Sequence, residues 1–379
     1  MQKLKARARA TQPDGSHGTP AADRGVARRR MVEIGIAVVV AAVLVVSVLA
    51  GIVSENGKPK CQDVRFGQAS GPVRQSPLSG ISGTGARVRA ALGRARGEVA
   101  YCNDFADPFV VQDGSRYYAY STQSGSMNVP VMRVAGLFDS GRRHDALPQL
   151  PAWSKPGAVW APSVVAAGAS YILYYTTAVA ATGAQCLSYA TARTPDGPFV
   201  DTSSAPWICP AGGGSIDASP FVAADGRRYL VWKYDDGFSG IAGAELSADG
   251  LQLASPISHM LTATLPWETG TIEGPDLVAA PNGYWLFYSG GDWRTAGYSI
   301  GVAHCSGPLG PCAKVGPDPL VTSTAAAAGP GGEQLFADSL GQNWVVFHAW
   351  VNGRVGYPSG ARGLFVAPIS LAGSTPTIG

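Results

Sequence analysis

Five times the chain repeats one theme: a strand, a polar or glycine turn, then an aromatic-rich strand. It reads DPFVVQDGSRYYAYST from Asp107, APSVVAAGASYILYYTT from Ala161, SPFVAADGRRYLVWKYD from Ser219, GPDLVAAPNGYWLFYSGG from Gly274 and GGEQLFADSLGQNWVVFHAW from Gly331. With Pro108, Pro162, Pro220, Pro275 and Gly332 as anchors, the intervals are 54, 58, 55 and 57 residues. A hairpin repeated at such a period cannot bury its apolar faces alone, and stacking in a ring is the way it does so. Two hairpins are followed by a further strand ending in a Gly-Pro turn, at LSYATARTPDGPF from Leu187 and IGVAHCSGPLGPC from Ile300, which supplies outer blade strands. The expected fold is all-β, a five-bladed β-propeller over residues 99–371, followed by a short tail, 372–379. Its last strand, GLFVAPISL from Gly363, is expected to pair near Glu98–Cys102 and close the ring, leaving no exposed sheet edge. Helical periodicity of useful length is absent outside the N-terminal apolar segment, which excludes an α/β fold.

That segment, IGIAVVVAAVLVVSVLAGIV from Ile34 to Val53, carries no charge over 20 residues, enough to cross a hydrocarbon core about 30 Å thick. A cleaved signal peptide competes, through Val48-Leu49-Ala50, but a 30-residue basic leader is long for one. Lys3, Lys5, Arg7, Arg9, Arg24, Arg28, Arg29 and Arg30 precede it. The reading is therefore a basic cytoplasmic tail over 1–33, a single transmembrane helix over 34–53, a Gly/Ser-rich extracellular stalk over 54–98 and an extracellular propeller at the cell membrane. The formal net charge is +3 and those basic residues account for it, so the propeller offers no nucleic-acid surface. Six cysteines on the exported side are read as three disulfides: Cys305 with Cys312 across CSGPLGPC, then Cys186 with Cys209 and Cys61 with Cys102 by elimination.

Innermost strands of a propeller line its channel, and their starting residues meet at one mouth. Three of the five starts carry an acid: Asp107 in DFADPFVV, Asp217 in GSIDASPFV and Glu273 in TIEGPDLV. Singly, Asp107 reads as a turn starter before proline and Asp217 as a turn cap. Glu273 is a poor turn former with no helix to cap. Together, in a chain only 15% charged, they point to one pocket.

The ordered set ADP, WAP at Trp160–Pro162, ID-x-SPF at Ile216–Phe221, EGP at Glu273–Pro275, GPGG at Gly329–Gly332 and HAW at His348–Trp350 resembles the family-43 glycoside hydrolases, five-bladed propellers acting mainly on arabinans and xylans. The resemblance covers about residues 99–371. It implies a general base at Asp107, an orienting and tuning acid at Asp217 and a general acid at Glu273, in an inverting hydrolase whose two working carboxyls stand about 6.5–9.5 Å apart. Asp217 would help Glu273 keep its proton by like-charge repulsion. Trp160 is a candidate to stack on a sugar, with core packing as the alternative. His348 is a candidate to reach the channel, although a lone His there is more often a core residue. The family often has an acid after WAP and a His after GPG that help hold a central metal or water. Here Ser163 and Gly332 stand there, which counts against bound calcium, and no cofactor is expected. The partners expected are a polysaccharide or oligosaccharide substrate and the membrane, with the chain a monomer. A carbohydrate-binding propeller that has lost turnover is the competing reading. A fructan-active propeller fits less well, because DFADPF and EGP depart from an NDPNG-like start and a Glu-Cys pair.

Overall fold

The computed structural model describes residues 98–134 and 142–378. The apolar segment 34–53 and residues 54–97 of the expected stalk lie outside those residues, whereas its last residue, Glu98, opens the first strand. Among the described residues no helix is long and apolar enough to cross a membrane.

Strand β1 (Glu98–Tyr101) precedes blade 1, which comprises β2 (Phe109–Asp113), β3 (Arg116–Tyr120), β4 (Pro130–Val134) and β5 (Arg143–Asp145). Blade 2 is β6 (Ser154–Ala167), β7 (Ser170–Val179) and β8 (Gln185–Ala192). Blade 3 is β9 (Gly214–Val222), β10 (Arg228–Asp235), β11 (Ser239–Leu246) and β12 (Ser258–Thr262). Blade 4 is β13 (Ile272–Ala280), β14 (Gly283–Gly290), β15 (Ser299–Cys305) and β16 (Cys312–Lys314). Blade 5 is β17 (Ala327–Ala337), β18 (Asn343–Val351) and β19 (Arg362–Ser370), completed by β1. Every blade is antiparallel in simple order, the five-bladed arrangement expected from the repeat. Blade 2 departs from four strands: isolated bridges Leu187↔Ile208 and Thr191↔Val200 take the place of its outer strand. The ring closes as the sequence suggested, with Glu98 opposite Val366 and Tyr101 opposite Leu364. The last residues also take part, since β20 (Thr377–Ile378) pairs with β19.

The aromatic-rich second strands look continuously apolar because both of their faces are buried. In β7, Leu173 and Tyr175 pack toward blade 1, and Ile172 and Tyr174 toward blade 3. In β14, Leu286 and Tyr288 face blade 3, and Trp285 and Phe287 face blade 5. Five clusters of this kind lie between consecutive blades, so the core is a set of wedges around the channel. At about 25 cal/mol per Å² of apolar surface removed from water, these wedges dominate the stability of the ring.

Disulfides join Cys186 to Cys209, with Cα atoms 4.9 Å apart, and Cys305 to Cys312, at 4.0 Å, both as expected. Cys102 is disulfide-bonded too; its expected partner Cys61 lies outside the described residues.

Candidate active site

Each blade begins with a kink. Asp107, Ala161, Asp217, Gly274 and Gly332 all have left-handed backbones, with φ between 42° and 60°, and four of the kinks coincide with a register shift against the second strand. These residues follow one another at 54, 56, 57 and 58 residues, the same range that the proline anchors gave. A bulge of this kind bends the innermost strand and re-aims its side chains at the channel mouth. A left-handed backbone costs a non-glycine residue about 1–3 kcal/mol, a strain found mainly at functional sites. It corrects the alignment of the acids: Asp107 and Asp217 hold the same repeat position, whereas Glu273 stands one residue earlier, beside left-handed Gly274.

A second repeated position supports the first. Opposite the kinks stand Thr176, Lys233, Ser289 and His348 on the second strands, and Thr122 just past the end of β3. The Thr122 hydroxyl accepts the Ala161 N–H at 2.9 Å, Thr176 that of Asp217 at 3.1 Å, Ser289 that of Gly332 at 2.8 Å, and His348 Nδ1 that of Asp107 at 3.1 Å. Each blade thus holds the kink of the next. Blade 3 breaks the pattern, because the Lys233 ammonium offers no acceptor; the Gly274 N–H bonds Asp217 Oδ2 instead, at 3.0 Å.

The three acids meet at a cavity of about 390 Å³, whose wall includes Asp107, Trp160, Asp217, Glu273, Trp293 and Tyr357. Trp160 therefore faces the cavity. His348 does not: it is fully buried behind Asp107, with Nδ1 3.2 Å from Oδ1, and its ring stacks on Tyr298 at 6.0 Å. Its place is that of a support for a carboxylate, away from any sugar in the cavity.

Around Asp107 the surroundings are cationic and donating. Thr122 donates to Oδ2 at 2.5 Å, and the Arg362 guanidinium stands 4.0 Å from Oδ1. Burial alone would raise the carboxyl, but the Arg362 charge, with His348 and Thr122, holds it well below the usual carboxylate range. Arg362 is too far for a direct hydrogen bond, so other contacts keep it in place. Its guanidinium carbon lies 4.4 Å from the Trp293 ring centre, and Nε donates to the Tyr357 hydroxyl at 3.2 Å. Trp350, the last residue of HAW, backs both rings, stacking on Trp293 at 6.4 Å and meeting Tyr357 edge-on at 5.0 Å.

Across the cavity the surroundings differ. Burial, then the Glu273 and Asp107 charges, push Asp217 well above its ordinary value, against Lys233 and the Gly274 N–H. Glu273 accepts from Lys233 Nζ at 3.2 Å and from the Tyr298 hydroxyl at 2.9 Å. Burial, then the Glu273 and Asp217 charges, push the Tyr298 phenol well up, so it stays a donor. Below, burial raises buried Asp276 to about 7 and Glu333 well above its ordinary value.

Lys233, Tyr298 and Arg362 were not found from the sequence. Lys233 had a signal: it breaks an otherwise apolar strand at the repeat position held elsewhere by Thr, Ser and His. Among the described residues no three His, Cys, Asp or Glu side chains gather as a metal cradle. A side chain at Gly332 would meet Asp107 Oδ1 at 2.6 Å and His348 Nδ1 at 2.7 Å, so His348 has taken that space.

Residues 101–374 match the family model of the glycosyl hydrolases family 43. The chain belongs to this family. It is accordingly a glycosidase. A β-D-galactofuranosidase of Aspergillus niger is 25% identical over 266 residues, 64% of this chain and 73% of that one. A probable arabinan endo-1,5-α-L-arabinosidase A of Aspergillus flavus is 27% identical over 288 residues, 68% of this chain and 84% of that one. Among solved structures, an endo-1,4-β-xylanase from Bacteroides thetaiotaomicron superposes with a TM-score of 0.63 at 26% identity, covering 75% of this chain and 96% of the other. The family-43 propeller thus agrees with the sequence reading.

Proposed function

We propose that the chain is an inverting hydrolase of arabinofuranosyl- or xylosyl-containing glycans, with Asp107 as general base and Glu273 as general acid. The observation that carries this is the opposed setting of the acids in one cavity. Asp107, held ionised by Arg362, is suited to take a proton from water. Glu273, in the cavity wall opposite and held by Lys233 and Tyr298, is placed to give a proton to the leaving oxygen. Tyr298 donates to Glu273 and its ring stacks on His348, which lies against Asp107; inversion calls for about 6.5–9.5 Å between the two working carboxyls. Asp217 orients the pair through the Gly274 amide. Trp160 supplies a face on which a sugar ring can stack. The disulfides support an exported propeller, and the uncharged segment 34–53 is its proposed membrane anchor.

Aryl arabinofuranosides, xylosides and galactofuranosides, the last because of the A. niger relative, identify the sugar. On unactivated glycosides Glu273→Gln should lose about 10²–10⁴-fold in kcat while aryl substrates suffer less, since an aryl oxide leaves without a proton. Asp107→Asn should impair both kinds, and proton NMR of the first product should show the inverted anomer. Small, equal effects of both substitutions would instead mark a binding propeller.

A further inference from the structure

The one blade that breaks the supporting pattern is the blade beside Glu273. Four blades present an acceptor to the next kink; β10 of blade 3 presents Lys233, and two contacts change as a result. The Gly274 N–H turns to Asp217, and the ammonium turns to Glu273 Oε2. Both partners of that ion pair are mostly shielded, with side chains 14% and 13% exposed, so the charge acts with little screening. The other charged and titratable groups around Glu273 are Asp217 on β9, Tyr298 before β15, and, across the cavity, Asp107 and His348; Asp235 faces the lysine from its own strand. Lys233 is the only cation in contact with Glu273 among the described residues.

We propose that Lys233 is a positioning residue that holds Glu273 in place and, through the charge it brings to within 3.2 Å of that side chain, sets the alkaline limit of activity. A general acid must donate readily, but it must also be protonated when substrate arrives. An ammonium at 3.2 Å favours the ionised product of donation. Burial would lower the lysine, yet Glu273, Asp217 and Asp235 keep it raised, so it stays charged over the working range. A hydroxyl at 233 would restore the pattern of the other blades and remove that charge.

The proposal rests on Glu273 as the general acid, so Glu273→Gln is measured beside it. In Lys233→Thr and Lys233→Met, the alkaline limb of kcat/KM should move up by about one pH unit, while Lys233→Arg, which keeps the charge, should leave it in place. Thermal melts check folding, and Met serves if Thr does not fold. An unmoved limb in Thr and Met, or the same displacement in Arg, overturns the role of Lys233 alone. If Glu273→Gln retains full activity on unactivated glycosides, or no glycoside is hydrolysed by the parent protein, the acid assignment fails and the proposal with it.

Discussion

On its blade 5 and blade 1 side the cavity gives Asp107 a guanidinium, an imidazole and a hydroxyl; on its blade 3 and 4 side it gives Asp217 another carboxylate and a backbone amide. The two aspartates share a repeat position and the same left-handed backbone, so neither backbone nor burial distinguishes them. Their neighbours do, pulling one down and the other up. Repetition supplied equivalent positions, and substitution at the supporting residues made them chemically unequal.

Removing the cation should break this contrast most strongly, after loss of an acid itself. Arg362→Leu leaves Asp107 buried without its charge partner, so the carboxyl rises. As the base must be ionised, the acid limb of kcat/KM should move up by about 1–3 pH units; an unchanged limb would mean that Arg362 serves the substrate alone.

Asp276 sharpens the contrast, because it is raised by burial with no neighbouring charge among its causes, while Ser219 and the Leu335 amide lower it. Its folded value of about 7 exceeds the ordinary 3.8. Between those values the native state holds a proton that the unfolded chain has lost, so stability falls as pH rises, by up to about 1.4 kcal/mol per unit. Asp276→Asn cannot titrate and should reduce that slope by one proton in urea unfolding measured from pH 4 to 7. The same slope in both proteins would refute it.

The smallest effect is expected from Tyr357→Phe, which deletes the hydroxyl that accepts from Arg362 and donates to Asp104. The guanidinium stays stacked on Trp293, and the acid limb should shift in the same direction as in Arg362→Leu by less than about one unit. A larger shift than in Arg362→Leu would show that the tyrosine acts on its own.

Much of the ring was readable because both faces of each second strand are buried, which makes RYYAY, YILYY and YWLFY stand out from their polar turns. Closure was readable for the same reason, in GLFVAPISL. The acids were readable as charge where little charge occurs. The one-residue offset of Glu273 was not, since it depends on a kink rather than on spacing to a proline, and Ser219-Pro220 sits past the blade 3 kink. Arg362 and Tyr357 were hidden because they act across chain separations that no local pattern records. His348 was visible as a residue but not as a support, for nothing in HAW says which way its ring faces.

Ring closure has a consequence for how the protein is made. His348 and Arg362 reach Asp107 across the seam where β1 meets β19, and the His348 contact joins residues 241 positions apart. Blade 1 is synthesised long before either partner exists, so Asp107, the proposed base, begins without the imidazole and guanidinium that flank it in the closed ring. Only when the final blade is synthesised and accepts the first strand does that aspartate gain its partners. Hydrolytic competence is thereby tied to completion of the chain, and a fragment lacking the last strand would lose the seam and the setting of its base together.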